Sequence, residues 1–413
     1  MTIDVSWARS QFPALQEQVN NHPAVFFDGP GGTQVPQRVI TAISDYLIHA
    51  NANTHGAFLT SQRTDAIIEA SRHAMADFLG CDADEVIFGA NMTTLTFALS
   101  RAIGQTLQPG DEIVTTRLDH DANVAPWHAL KERGVIIREV DVDVEDCTLD
   151  MEDFARKITP KTKLVAVGYA SNAVGTINDV ARVVAMAKAV GALSFVDAVH
   201  YAPHGPIDVK ALDCDFLACS PYKFFAPHSG TIYGKRAHLA NLHPYKVRPA
   251  GDETPGRWET GTKNHEIMAA ITAAIDYLAE LGNRSHGTPF ATRRAAVTHA
   301  MQTIQAYERQ LSDYMIPRLL AIPGLSFYGI TDSTRFGHRT PTVAIRMAKH
   351  TPAEVAKHLA GKGIFVWDGN YYAVNLTERL GLEDKGGMVR IGLIHYNTTA
   401  EVDRLIAALK ELV

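Results

Sequence analysis

Lys223 is the residue best placed to do chemistry, in the stretch Asp215-Phe216-Leu217-Ala218-Cys219-Ser220-Pro221-Tyr222-Lys223-Phe224-Phe225. The apolar run from Phe216 to Cys219 reads as a short buried strand that delivers a lysine set among aromatic rings. A lysine there is poorly solvated, and desolvation lowers its pKa toward the free amine. A free amine of this kind can condense with an aldehyde. Most lysines beside aromatics simply lay their stems along apolar surface, so one further residue decides the matter. Asp197 ends another apolar run, Ala192-Leu193-Ser194-Phe195-Val196-Asp197. An Asp for a pyridinium nitrogen and a Lys for an aldehyde carbon, both at strand ends, form the pairing that pyridoxal 5'-phosphate requires.

The elements that must position these two residues are legible in outline. The chain has 413 residues, long enough to predict two domains. Its composition, 46% hydrophobic and 20% charged, is that of an ordinary globular protein. A net charge of −6 offers no basic face to nucleic acid or anionic lipid. No apolar run is long enough to span a membrane, and the first residues lack a basic and apolar leader. Four cysteines without metal-ligand spacing fit a reducing, cytoplasmic setting. From residue 85 to about 235, strand candidates (85–89, 112–116, 135–140, 163–169, 192–197, 215–219, 230–234) alternate with helix-length segments (93–106, 122–133, 178–190). That alternation predicts an α/β fold, with a mostly parallel seven-stranded sheet covered by helices. Ligands bind such sheets at the carboxyl ends of the strands, where Asp197 and Lys223 fall. Helices are predicted over 265–282 and 288–322, with Pro317 kinking or breaking the second. Short strands and helices follow (325–330, 342–347, 352–361, 364–368, 388–394, 399–412) and predict a smaller α+β domain. The expected division is a large domain over 30–285 and a small one from 1–29 with 286–413.

Further segments flank this framework in a fixed order: Phe27-Asp28-Gly29-Pro30-Gly31-Gly32, Gly89-Ala90-Asn91-Met92-Thr93-Thr94, Asp119-His120-Asp121-Ala122-Asn123, Ser171-Asn172-Ala173-Val174-Gly175-Thr176, Val196-Asp197-Ala198-Val199-His200, Ser220-Pro221-Tyr222-Lys223, Arg257-Trp258-Glu259-Thr260-Gly261-Thr262 and Val389-Arg390-Ile391. Together they resemble the class V aminotransferase family, and within it the cysteine desulfurase branch of pyridoxal phosphate fold type I. The resemblance implies that Asn91, Met92 and Thr93 open a phosphate-binding helix, joined by Ser220 and Tyr222. His120 would stack on the pyridine ring, Asn172 and His200 would reach its hydroxyl, and Asp197 would hold its nitrogen protonated. Lys223 would carry the cofactor. Arg390 would grip the substrate carboxylate, as its planar fork suits, and Gly31 and His55 would line the substrate side. Gly261 and Thr262 would come from a second subunit, which implies a homodimer with shared active sites.

The chain departs from that branch at one place. The branch carries a catalytic Cys that accepts sulfur as a persulfide. The matching stretch here is Trp367-Asp368-Gly369-Asn370-Tyr371-Tyr372-Ala373, with Tyr372 at the cysteine's position and Trp367 where a substrate-facing Arg is usual. A tyrosine cannot take up sulfur as a persulfide. The expected activity is therefore β-elimination (C–S lyase chemistry) on cysteine or a cysteine-derived amino acid, with Lys223, His120 and Asp197 in the catalytic roles. The alternatives are amino-group transfer, epimerisation, decarboxylation, desulfuration with a non-standard acceptor, or a non-catalytic protein of this fold.

Overall fold

A computed structural model describes residues 2–413. Seven strands form its main sheet: β1 (Val86–Gly89), β2 (Glu112–Thr116), β3 (Ile136–Val140), β4 (Thr162–Gly168), β5 (Leu193–Asp197), β6 (Phe216–Cys219) and β7 (Gly230–Gly234). Their order is β1-β7-β6-β5-β4-β2-β3, and only β7 runs antiparallel to its neighbours. β5 is buried at every position except its first residue, and β6 and β7 throughout, as expected of a sheet with both faces covered. One face packs around Val114, Val165, Val196 and Leu217, and the other around Ile113, Ala166, Phe195 and Phe216.

Helices α1 (Met92–Gly104) and α2 (Val180–Ala189) form between strands where sequence alternation places them. Asn91 caps α1 by accepting from the Thr94 N–H at 2.8 Å, an arrangement that stabilises a helix by about 1 kcal/mol. The segment 122–133 differs from expectation. It forms a 3-10 turn at Asp121–Asn123, a four-residue helix Ala125–His128 and another 3-10 stretch to Arg133. Pro126 starts that helix rather than continuing one, since it has no N–H to give a preceding turn.

α3 (His265–His286) and α4 (Arg293–Leu320) pack against each other. Pro317 does not break α4 midway; it lies in the last turn, where the helix ends three residues later. α4 spans two cores. Ala296, Val297, Ala300, Met301 and Ile304 join the core of the main sheet, and Leu311, Met315, Ile316 and Leu319 join that of a second sheet. The second sheet contains β8 (Leu325–Tyr328), β9 (Thr342–Met347), β10 (Trp367–Gly369) and β11 (Met388–Gly392), in the antiparallel order β8-β9-β11-β10. The N-terminal segment also divides: Ile3, Phe12 and Leu15 pack on the first core, Val25 and Phe27 on the second.

Candidate active site

The carboxyl ends of β1, β2, β4, β5 and β6 open onto one cavity of about 580 Å³. The second sheet closes it from above through β10, β11 and the loop 370–372. Asn91, Met92 and Thr93 line it after β1, and His120 after β2. Asn172 follows β4, Asp197 and His200 lie at and after β5, and Ser220, Tyr222 and Lys223 follow β6. Gly31, Tyr372 and Arg390 complete the wall. Thirteen of the sixteen residues singled out in the sequence thus meet in one space, although they are scattered over some 360 positions.

Three do not. His55 sits on a solvent-facing loop, its side chain 88% exposed and near Asp65. Gly261 and Thr262 line a different hollow, of about 380 Å³, beside Gly89 and Ala90. Within a single chain these three are outside the site.

Local geometry explains how each group is held. Asp197 ends β5 in register with Gly168 on one side and Ala218 on the other. Its carboxylate accepts the Val199 N–H at 2.9 Å. Burial raises its pKa to about 6. Lys223 follows β6 in a single 3-10 turn, Pro221–Lys223, and its Nζ donates to the Pro30 carbonyl. The turn Gly29–Gly31 is tied to this segment, because Thr33 N–H donates to the Tyr222 carbonyl and Thr33 Oγ1 accepts from Phe225 N–H. Burial, together with the nearby Arg390 guanidinium, lowers the Lys223 pKa to about 7, while Asp197 and Asp28 oppose that shift. At neutral pH a large share of this lysine is a free amine.

His120 is held as one tautomer. Its Nδ1 accepts the Ala122 N–H at 3.0 Å, and burial, with Lys223 and Arg390 nearby, lowers its pKa to about 4. The ring is therefore neutral, with its proton on Nε2. His200 pairs through Nε2 with Thr340 Oγ1 at 3.1 Å, and burial holds it neutral as well. Arg390 donates from Nη1 to the Asn172 carbonyl at 3.0 Å and stands 4.3 Å from the Tyr371 ring centroid. Its pKa falls to about 10 on burial, which leaves it charged.

Loop 370–372 is pinned to the main sheet. Asn172 Nδ2 donates to the Tyr371 carbonyl at 2.9 Å, and Asp121 N–H donates to the Tyr372 carbonyl at 2.7 Å. Tyr371 and Tyr372 both adopt left-handed backbone, φ +55° and +59°. Such conformations cost about 1 to 3 kcal/mol each and persist where surrounding contacts enforce them. The Tyr372 ring stacks on His120, with centroids 5.4 Å apart.

Two acids escaped sequence reasoning. Asp119 lines the cavity floor, and its carboxyl accepts from Gly168 N–H at 2.8 Å and Asn123 Nδ2 at 3.0 Å. Burial, and then the neighbouring Asp197, raise its pKa to about 8. Asp28 has its pKa raised to about 6 by burial, although Arg390 and Lys223 pull the other way. Asp119 was signalled only by its place beside His120, and Asp28 only by preceding the Gly-Pro-Gly-Gly turn.

The cavity can hold a flat, phosphorylated, ring-nitrogen ligand. Asn91 satisfies Thr94 N–H, and Met92 and Thr93, whose N–H groups have no partner within the helix, line the cavity at the start of α1, an arrangement suited to phosphate. Asn172 Oδ1 and Arg390 Nε are buried without any partner. Such orphaned atoms are costly unless a ligand satisfies them.

Comparison with known proteins agrees. The chain is 33% identical, over 99% of its length, to a probable cysteine desulfurase of Mycolicibacterium paratuberculosis, and spans 58% of that longer protein. It is 34% identical to an aminotransferase-like protein of Gibberella zeae, covering 99% of this chain and 98% of that one. The structure of a cysteine desulfurase from Thermococcus onnurineus superposes with a TM-score of 0.88 at 27% identity, covering 100% of this chain and 98% of the other. Residues 25–289 and 290–405 match the aminotransferase class-V family, and the chain belongs to that family.

Proposed function

We propose that this protein is a pyridoxal phosphate-dependent C–S lyase that removes the sulfur substituent of cysteine or a cysteine-derived amino acid by β-elimination. Members of the family use this cofactor. The observation that carries the reading is the convergence of a buried Lys223 with a lowered pKa, a buried Asp197 and a charged Arg390 on one cavity. Bound there, the cofactor supplies an electron sink for the electrons released at the substrate Cα.

The protein's own groups do the rest. Met92, Thr93 and Ser220 would hold the cofactor's phosphate, His120 would back the ring, and Asn172 and His200 would face its hydroxyl. Asp197 would keep the ring nitrogen protonated. Arg390 would fix the α-carboxylate in the cavity that Lys223 also lines. Lys223 would take the Cα proton as general base. Loss of that proton would let the Cβ–S bond break, with the sulfur substituent leaving as a thiolate that can take up the proton from Lys223, and water would hydrolyse the released unsaturated amine to pyruvate and ammonia.

No cysteine is required, and the chemistry of the four present supports this. None lines the cavity. Burial pushes the Cys147 and Cys214 thiols up to about 12 and raises those of Cys81 and Cys219 as well. Thiols of this kind are not poised as nucleophiles. All four are unbonded, in keeping with a reducing, cytoplasmic setting. We place the cofactor on the larger unit, 30–285, with 286–413 and the segment up to residue 29 as the smaller one. A homodimer would carry Gly261 and Thr262 to the partner's site. No helix among the described residues is long and apolar enough to cross a membrane.

The reading is tested by adding pyridoxal phosphate, reducing with borohydride and mapping peptides by mass. The cofactor mass belongs on Lys223; its absence from every lysine would refute the proposal.

A further inference from the structure

The wall of the cavity nearest Arg390 is aromatic. Trp367 on β10 is the register partner of Arg390 on β11, and cross-strand partners present their side chains to the same sheet face. The Trp367 indole lies against Gly31, so closely that a Cβ there would collide with Nε1. The Tyr371 ring lies under the Arg390 guanidinium, and its hydroxyl is committed to the Met388 carbonyl. What Tyr371 offers a ligand is therefore ring carbon, not a donor. Tyr372 continues the surface onto His120. Trp367 and Tyr372 remain 52% and 70% exposed, and a ligand covering them would remove apolar surface from water.

The charges point the same way. Among the described residues, the only lysine or arginine groups lining the cavity are Lys223 and Arg390. With Arg390 on the α-carboxylate and Lys223 on the Cα proton, no cation remains for a second carboxylate. Asp197 and Asp368 also line the space, and their carboxylates oppose further negative charge.

We propose that Trp367, Tyr371 and Tyr372 form the side-chain pocket of this site and select amino acids bearing an aromatic group, as in cysteine conjugates with an aromatic substituent on sulfur. This rests on the reading of the site as an amino-acid enzyme. The substrate's side chain leaves Cα one carbon away from the carboxylate, so a carboxylate on Arg390 directs it along Trp367. Sulfur at the next position meets ring faces and edges, which thioethers contact favourably. Trp367 acts here as a specificity-determining residue rather than a catalytic one.

The test is titration of the cofactor-loaded protein, followed by visible absorbance, with S-benzyl-L-cysteine, L-phenylalanine, L-aspartate and L-lysine. The two aromatic compounds are expected to bind at least about tenfold more tightly than L-aspartate or L-lysine. Trp367→Phe keeps that order, and Trp367→Arg reverses it in favour of L-aspartate. Equal or tighter binding of L-aspartate or L-lysine by the unsubstituted protein overturns the pocket assignment, as does an unchanged order in Trp367→Arg. Silence towards all four amino acids, with cofactor bound, overturns the enzyme reading and the pocket with it.

Discussion

Asp119 and Asp197 bury their carboxyls on the same cavity floor: Asp119 takes the N–H of Gly168, and Gly168 is the register partner of Asp197 on the adjacent strand. Two carboxyls so placed resist sharing two negative charges. Burial, with Asp197 beside it, raises Asp119 to about 8, so at neutral pH the proton resides mainly on Asp119 and Asp197 is left as the carboxylate. A cationic ring nitrogen bound at Asp197 would reinforce that division.

The pair has a measurable consequence for the cofactor-free protein. The folded pKa of Asp119 lies above the unfolded value, so the folded state holds the extra proton. Its stability therefore falls as pH rises from about 4 to about 8, and no further above that. Asp119→Asn removes this penalty. In thermal melts the variant should gain on the unsubstituted protein as pH rises from 4 to 8. A constant difference across that range contradicts the assignment.

Lys223 titrates in the opposite sense. Its pKa is lowered from the ordinary 10.5 to about 7, so its reactive free amine grows as pH rises toward 7 and saturates above it. The rate at which added pyridoxal phosphate develops its protein-bound absorbance should rise about tenfold per pH unit below 7 and then level off. A rate still climbing at pH 9 would place the lysine in water, not in this cavity.

Arg390 is buried, with Nε unpartnered and Nη1 on Asn172. Truncating one member of a buried charge pair costs about 2 to 5 kcal/mol, so Arg390→Gln should raise KM by at least about 30-fold. The cofactor spectrum should persist, because no ring contact is assigned to Arg390. Unchanged KM for every substrate would remove Arg390 from carboxylate binding.

Lys223→Ala should abolish turnover, since both the cofactor link and the Cα base are lost. Single Cys→Ala changes at Cys81, Cys147, Cys214 and Cys219 should leave pyruvate formation intact in folded protein. Loss of sulfur release in one of them alone, with the fold retained, would mark that thiol as a sulfur acceptor.

Much of this was legible in the sequence, for identifiable reasons. Most strands of the main sheet are short apolar runs separated by helix-length segments, and all seven fell within a residue or so of expectation. Strand ends in such a sheet carry the ligand groups, which put Asp197 and Lys223 in one place, while resemblance to the family supplied Asn172 and His120. The segment 122–133 has the length of a helix but holds Pro126, and it forms short turns around a four-residue helix instead. Pro317 was expected to interrupt α4 and instead sits in its final turn, where a missing N–H disturbs little. Asp119 and Asp28 were missed because burial of a carboxyl depends on contacts far away in sequence. His55, Gly261 and Thr262 were placed by resemblance, and one chain alone does not bring them to the cavity.

The most direct test of the account is product identification by mass spectrometry. The cofactor-loaded protein is incubated with L-cysteine, L-cystine and S-substituted cysteines, with and without a keto acid. The account predicts pyruvate, ammonia and a thiol or persulfide from the sulfur compounds, with no keto acid needed and none of it formed by Lys223→Ala. Alanine released from cysteine, or a new amino acid appearing only when a keto acid is present, would contradict it.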